Sequence, residues 1–237
     1  MKTALILNGN YRTFDKCYPK FLEKFKHLSP DYFINTYDAR YMYHSVIRNR
    51  SNFYGEESVN IDKFSGVDYK GILIDSYSEM VKTFNEKILP LIHPAMVLEN
   101  GSSYLQLVKW KKGLAMITKY EVENNFTYDS IILSRFDVIP NSIEHLNLNG
   151  LDKKVIMNYG GDGMANDQIL ITTKKNLMLI IDFMISEFHN YKIPSSRNTV
   201  PHTLLKNSII HNGIIHEEHH KLLHCILREN GLEELVV

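Results

Sequence analysis

The first part of the chain places its apolar residues with two different periods. Residues 4–7, ALIL, form a short apolar run that breaks into the polar, glycine-containing turn NGNYRTF. Residues 15–28 then carry apolar side chains at helical spacing, and residues 31–38, DYFINTYD, are rich in aromatic and β-branched types that favour a strand. A strand, a turn, a helix and a second strand in this order predict a parallel sheet with right-handed crossovers.

The remainder of the chain continues this α/β pattern. We predict strands at 71–77, 128–140, 153–159 and 169–173, and helices at 102–125, which a serine would cap, and at 174–191. Residues 40–70 are polar and aperiodic, which indicates a long loop or lid. A C-terminal helix is expected from about Glu217 to Asn230.

Composition narrows the class of protein. Of 237 residues, 44% are hydrophobic, which is enough for a sizeable core, and 27 Lys plus Arg balance 27 Asp plus Glu. A neutral chain is not built for wholesale binding to nucleic acid or anionic membranes. Cys17 and Cys225 are too few for a disulfide scaffold. With no signal-peptide core and no apolar stretch of roughly 20 residues, we expect a cytoplasmic, soluble protein without a transmembrane segment.

The pentapeptide HEEHH matches the zinc motif H-E-x-x-H. On a helix, His216 and His220 would bind Zn²⁺ and Glu217 would act as the general base. The extended form of the motif fails, because Leu223 and Ile226 stand where glycine and histidine are required. We therefore interpret the segment as the histidine-rich face of a C-terminal helix, with a zinc hydrolase as an alternative.

A carboxylate at the end of a buried strand is the stronger chemical signal. The segment YDSIILSRFDVIP delivers Asp137 at the carboxyl end of an apolar run, where open α/β sheets bind ligands. Arg135 lies two residues earlier on the same strand face. The two side chains could form a self-satisfying ion pair, or Asp137 could bind a metal-diphosphate that Arg135 neutralises or orients.

Five segments carry a resemblance in their order and spacing: NGNYRTF, DYFINTYD, KYEVENNFTYDSIILSRFDVIP, MANDQILIT and HHKLLHCILRENGL. Together they resemble a GT-A-type nucleotide-sugar glycosyltransferase of the group found among capsule-polysaccharide and large-virus enzymes. The resemblance implies one GT-A-like (Rossmann-like) α/β domain over 1–237, with a mostly parallel central sheet flanked by helices. Residues 1–140 would form the nucleotide-binding half and 141–237 the acceptor-side half.

The resemblance also implies a metal site. Such enzymes hold Mn²⁺ or Mg²⁺ against the donor diphosphate with an Asp-x-Asp signature at the end of a central strand. In this chain Arg135 replaces the first acid, so that Asp137 is the expected metal ligand. The metal and Arg135 would stabilise the negative charge that builds on the departing nucleoside diphosphate.

Four residues are implied as donor contacts. Asn8, Gly9 and Arg12, in the turn after the first strand, would face the nucleotide, with Arg12 on a phosphate or a base edge. Asp38, which ends the second strand, would hydrogen-bond ribose or base. The alternatives are a solvated loop arginine for Arg12 and a helix cap or turn former for Asp38.

Acceptor contacts are expected in GGDGMANDQ, between two strands. Asp167 would deprotonate the acceptor hydroxyl if the enzyme inverts, and would position the sugar if it retains. Asp162, between glycines, is interpreted first as a turn residue. Lys109 and Lys112 could reach the diphosphate, but we interpret them as a solvated helix face. His202 and His220 could contact a metal or the acceptor, but we interpret both as structural.

The function expected from the sequence is metal-assisted transfer of a sugar from a UDP- or GDP-sugar to a glycan acceptor, in polysaccharide biosynthesis. A non-catalytic nucleotide- or sugar-binding module on the same fold is the alternative. The chain has neither the G-x-G-x-x-G spacing of dinucleotide-binding enzymes nor a phosphate-binding P-loop. The resemblance implies a nucleotide-sugar and a glycan as partners, and the neutral charge of the chain implies no nucleic acid.

Overall fold

The computed structural model describes residues 1–11, 14–39, 58–91, 94–141, 143–144, 146–159, 165–190, 201–219, 224–227 and 233–235. Within these ranges the chain forms ten strands and five α-helices. The strands are β1 (Thr3–Asn8), β2 (Asp31–Tyr37), β3 (Tyr69–Asp75), β4 (Ser130–Ser134), β5 (Val138–Pro140), β6 (Lys154–Tyr159), β7 (Ala165–Thr172), β8 (Ile215–His219), β9 (His224–Leu227) and β10 (Glu233–Leu235). The helices are α1 (Phe14–Phe25), α2 (Tyr77–Thr83), α3 (Pro94–Asn124), α4 (Lys174–Asn190) and α5 (Pro201–His211).

Seven strands form the central sheet, in the order β3-β2-β1-β4-β7-β6-β8. The pairs β2–β3, β1–β2, β1–β4 and β6–β8 are parallel, whereas β7 runs antiparallel to both β4 and β6. This mostly parallel sheet, flanked by helices, confirms the predicted α/β class. The division into nucleotide-binding and acceptor-side halves stays a prediction.

The two faces of the sheet carry separate hydrophobic cores because successive side chains of a strand point to opposite faces. On β4, Ile131 belongs to the core beneath α3, α4 and α5, and Ile132 belongs to the core beneath α1. Both side chains are fully buried. The helices therefore cover both faces, as a parallel sheet requires.

The order of the strands reverses between β1 and β4. From β1 the chain crosses by α1 to β2 on one side, and α3, on the opposite face, later leads into β4 on the other side. In open α/β sheets such a reversal leaves a crevice at the carboxyl ends of the two strands, and ligands bind there. Asn8 ends β1 and Ser134 ends β4 at this point.

The predicted C-terminal helix is wrong where the structure describes it. Residues 215–219 form β8 and residues 224–227 form β9. Five residues of β8 pair in parallel with β6, from Lys154 opposite Ile215 to Asn158 opposite His219. Pairing with a distant strand outweighs the local helical pattern, and that contribution is invisible in a sequence window.

Other elements differ from expectation in extent. The long helix begins at Pro94, where a proline is tolerated in the first turn, and not at a serine cap. The strand predicted over 128–140 is two strands, since β5 leaves the central sheet and pairs with β9 in the small sheet β10-β9-β5. Helix α5 was not predicted. Of the expected loop or lid at 40–70, residues 40–57 lie outside the described residues, and 61–64 form a short 3-10 helix.

Across the described part of the chain, none of the helices is both long enough and apolar enough to cross a bilayer.

Candidate functional site

The turn that follows β4 is held rigidly at the crevice. The backbone N–H of Arg135 donates to the carbonyl of Gln168 on β7 at 3.2 Å. Phe136 is 1% exposed, and its ring meets that of Phe14 edge-on, with 5.3 Å between centroids. Because the turn is anchored on both sides, the side chains of Arg135 and Asp137 occupy a defined position at the carboxyl end of β4.

Arg135 and Asp137 form a two-pronged ion pair. Nε of Arg135 donates to Oδ1 of Asp137 at 2.9 Å, and Nη2 donates to Oδ2 at 2.7 Å. The carboxylate is buried, with 2% of the side chain exposed, whereas 25% of the Arg135 side chain remains exposed. Burial by itself lowers the pKa of Arg135, but the charge and hydrogen bonds of Asp137 outweigh it and raise the pKa above its ordinary value. The guanidinium is therefore permanently charged.

Asp167 lies beside this pair because β7 runs antiparallel to β4, so that the first residues of β7 meet the carboxyl end of β4. Its Oδ2 accepts a hydrogen bond from Nε2 of Gln106 on α3 at 2.7 Å. Its Oδ1 lies 4.0 Å from Nδ1 of His202 on α5. The negative charge of Asp167 also contributes to the raised pKa of Arg135. The structure thus brings Arg135, Asp137 and Asp167 together, and it places Asp167 within β7. The roles expected for these three residues stay predictions.

Gln106 was missed by the sequence analysis. It is a helix residue 61 positions from Asp167, and a glutamine within an amphipathic pattern carries no signal of such a contact.

At the end of β1, Asn8 and Gly9 form the other wall of the crevice. Asn8 is 3% exposed, and its Oδ1 accepts from Nδ2 of Asn35 at 2.8 Å. Gly9 has φ of +108°, a conformation that favours glycine, and its N–H donates to the carbonyl of Asn35 at 3.1 Å. Asn35 therefore fixes the orientation of the Asn8 amide. Arg12, the third residue predicted in this turn, lies outside the described residues.

Lys109 is not part of a solvated helix face, and that prediction was wrong. The side chain is 1% exposed, and Nζ donates to Oδ1 of Asn35 at 3.1 Å, to the carbonyl of Thr36 and to Oδ2 of Asp75 at 2.8 Å. These contacts account for the three N–H bonds of the ammonium group. Burial, partly offset by Asp75, lowers the pKa of Lys109 to about 8. This face of α3 thus holds the ammonium group of Lys109 at the ends of β2 and β3.

Lys112 fits the predicted exposed face better, with 43% of its side chain exposed. It shares Asp75 with Lys109, at 2.8 Å. Burial raises the pKa of Asp75, but the hydrogen bonds and charges of the two lysines outweigh it and hold the pKa below its ordinary value.

Asp38 is exposed at the end of β2, and one of its oxygens has a structural role. Oδ1 accepts from the backbone N–H of Tyr77, the first residue of α2, at 2.9 Å. Of the two interpretations offered by the sequence, the helix cap is therefore observed. A contact with ribose or base stays a prediction.

The geometry required for a zinc hydrolase is absent where HEEHH is described. His216 and Glu217 are neighbours on β8 and so point to opposite faces of the strand. Glu217 pairs with Lys154 at 2.7 Å, and Nε2 of His216 lies 3.7 Å from Oε1 of Glu218. A helical His216–His220 pair is thus excluded by the strand, although His220 itself, like Asp162, lies outside the described residues.

Comparison with known proteins adds the following. No protein-family model and no curated protein sequence matches the chain. Among solved structures it is similar to the galactosyltransferase LgtC in complex with donor and acceptor sugar analogues, at 9% identity, with 90% of this chain and 72% of that chain covered and a TM-score of 0.42. It is also similar to the PaToxG glycosyltransferase, at 10% identity, 89% and 69% coverage and a TM-score of 0.39. A nucleoside-diphosphate-sugar pyrophosphorylase from Vibrio cholerae RC9 matches at 11% identity, 92% and 91% coverage and a TM-score of 0.43.

The described residues do not by themselves form a cation site at Asp137. Both oxygens of Asp137 already accept hydrogen bonds from Arg135, and the carboxylate is 2% exposed. Nowhere in the described ranges do three or more His, Cys, Asp or Glu side chains lie close enough to hold a metal ion. The divalent cation implied by the resemblance stays a prediction.

Proposed function

We propose that the protein is a glycosyltransferase that moves a sugar from a nucleoside-diphosphate-sugar to an acceptor hydroxyl. The observation that carries this proposal is the placement of Arg135, Asp137 and Asp167 together at the crevice where the strand order reverses. That crevice is the usual ligand site of an open α/β sheet. A planar guanidinium suits the oxygens of a diphosphate, and a nearby carboxylate suits an attacking hydroxyl.

The donor side is formed by Arg135 and Asn8. Two of the five N–H bonds of Arg135 go to Asp137, and no other described side chain bonds the remaining three. These would stabilise the charge that builds on the departing UDP or GDP. Because Oδ1 of Asn8 is held by Asn35, its Nδ2 group is left to donate to the nucleotide.

The acceptor side is centred on Asp167. Gln106 holds Oδ2, which leaves Oδ1 to accept the proton of an attacking glycan hydroxyl if the reaction inverts configuration. If the reaction retains configuration, the same carboxylate would position the sugar. In both cases Asp167 contacts substrate, and its isosteric amide should be a poor replacement.

A non-catalytic nucleotide-binding module is the second candidate, and one observation favours it. Both carboxylates of the site have partners already, Asp137 in Arg135 and Asp167 in Gln106. A module of this kind would bind a nucleotide but release no product.

The test begins with binding and proceeds to turnover. Thermal unfolding of the protein would be measured with UDP, GDP, dTDP and their common sugars, each with Mn²⁺, Mg²⁺ or EDTA. A ligand at about 100 times its Kd stabilises the fold by roughly 2.7 kcal/mol, which is a readable shift. The donor that binds would then be incubated with glycan acceptors, and product and released nucleoside diphosphate would be quantified by mass spectrometry.

Asp167→Asn separates the two candidates. We expect it to lower turnover by about 10²- to 10⁴-fold while the nucleotide still raises the unfolding temperature. Asp182→Asn is the matched control, since Asp182 is 58% exposed on α4 and pairs only with exposed Lys111 among the described residues. Failure of every nucleotide to stabilise the protein would contradict the proposal. Stabilisation with no turnover on any acceptor would favour the binding module.

A further inference from the structure

We propose that Arg135 takes the place of a divalent cation, so that the donor's diphosphate binds to the guanidinium and not to a metal held by Asp137. This inference rests on the proposed function, because it concerns how the same site neutralises the same leaving group. It differs from the expectation drawn from the resemblance, in which Asp137 is the metal ligand.

Arg135 occupies both carboxylate oxygens of Asp137, so the carboxylate is not open to an incoming cation. Its side chain is 2% exposed, and each of its oxygens accepts a hydrogen bond from Arg135, at 2.9 and 2.7 Å. Mg²⁺ keeps several waters and needs open oxygen ligands in a near-octahedral arrangement. A buried carboxylate already covered by a guanidinium is not such an open ligand, and in the part of the chain that the structure describes no group of three His, Cys, Asp or Glu side chains gathers that could hold the ion.

Arg135 presents the positive charge that a divalent cation would otherwise supply to the diphosphate. A quarter of its side chain is exposed, whereas Asp137 lies behind it. Three of its N–H bonds have no described protein acceptor, and the geometry of a guanidinium matches two phosphate oxygens at once. Arg135 therefore offers an incoming ligand a positively charged group with paired N–H donors.

Asp137 holds the guanidinium of Arg135 in place. The turn is anchored by the N–H of Arg135 on Gln168 and by the buried ring of Phe136, and the carboxylate then fixes the rotation of the guanidinium through two bonds. Asp137 is thus a positioning residue that acts through Arg135. Asp167, the second nearby carboxylate, lies with Oδ2 against Gln106 and Oδ1 near His202.

The deciding experiment is calorimetric titration of the wild-type chain with UDP, GDP and dTDP, once in EDTA and once in Mn²⁺. We expect the nucleotide that binds to show Kd values that agree within about two-fold in the two conditions, because no metal takes part. Binding that occurs only with Mn²⁺ would overturn this inference and leave the proposed function standing. Absence of binding in both conditions would contradict the proposed function and this inference with it.

Two variants sharpen the result. Arg135→Asp recreates an Asp-x-Asp sequence, and we expect it to weaken nucleotide binding in EDTA by about 10- to 100-fold, with Mn²⁺ restoring much of the loss. Arg135→Lys keeps the positive charge but loses the planar guanidinium that binds two oxygens at once. Its Kd should therefore lie between those of wild type and Arg135→Asp. Variants as tight as wild type in EDTA would overturn the inference.

Circular dichroism would establish that each variant is folded, since either substitution disturbs the partner of a buried carboxylate. Lys111→Met, at a 63% exposed position of α3, is the control for loss of one positive charge remote from the crevice. The wild-type comparison of EDTA with Mn²⁺ decides the question even if a variant does not fold.

Discussion

Lys109 is a buried residue whose side chain contacts the ends of β2 and β3. Its ammonium group is enclosed by Asn35, Thr36 and Asp75, and burial lowers its pKa to about 8 from an ordinary value of 10.5. The folded state therefore releases this proton more readily than the unfolded state. Between about pH 8 and 10.5 the unfolded chain binds more protons, so the free energy of unfolding contributed by this group rises with pH.

The variant Lys109→Met tests whether Lys109 makes the free energy of unfolding rise with pH. We expect the free energy of unfolding of wild type, minus that of the variant, to increase by on the order of 1 kcal/mol between pH 8 and pH 9.5. Urea denaturation of both proteins across this window gives the difference directly, and the tyrosines, present in both, largely cancel. Parallel pH profiles would show that Lys109 is not a titrating buried group.

At the scale of elements, the approach of α3 to the sheet depends on a glycine. A Cβ at Gly113 would lie 3.2 Å from Cγ2 of Ile6 and 3.3 Å from Nδ2 of Asn35, both of which are fully buried. The Asn35 amide cannot move aside, because it already bonds Asn8, Lys109 Nζ and the Lys109 carbonyl, the last at 2.6 Å. Close contact of α3 with β1 and β2 thus supports the Asn8 side of the crevice.

Gly113→Ala should therefore destabilise the protein although alanine is the better helix former. Overpacking costs about 1–3 kcal/mol and the gain in helix propensity is about 1 kcal/mol, so we expect a net loss of roughly 1 kcal/mol in chemical denaturation. Val122→Ala, at a 76% exposed position of the same helix, should change stability by no more than about 0.5 kcal/mol. If Gly113→Ala were more stable than wild type, Ile6 and Asn35 would have to shift to make room for the added Cβ.

At the scale of the whole molecule, one sheet is shared by two cores. Ile131 and Ile132 are adjacent on β4, equally buried and on opposite faces, and Trp110, the only tryptophan of the chain, reports on the core of Ile131. We expect Ile131→Val and Ile132→Val each to cost about 0.5–1.5 kcal/mol. For each variant, the denaturation midpoint followed by tryptophan fluorescence should fall by as much as the midpoint followed by circular dichroism, because the shared sheet unfolds as one unit.

A fluorescence midpoint that responds to Ile131→Val but not to Ile132→Val would show that the two cores unfold separately.

The sequence predicted much of this fold because several elements carry their own signal. The apolar run at 4–7, the helical spacing at 15–28 and the aromatic strand at 31–38 all appear as predicted, and together they imply parallel strands. The carboxylate of Asp137 was expected at a strand end, and Asp167 was expected nearby. Strand-end position can be read locally, because it follows from where an apolar run stops.

Only the tertiary structure decided the rest. The segment HEEHH fits a helical motif, yet pairing with β6 makes it a strand. Lys109 and Lys112 are three residues apart in one helical pattern and both contact Asp75, but only Lys109 is buried. Gln106 meets Asp167 across 61 residues of chain. Periodicity along a chain determines which elements form, whereas strand pairing and side-chain burial depend on contacts between residues that are distant in sequence.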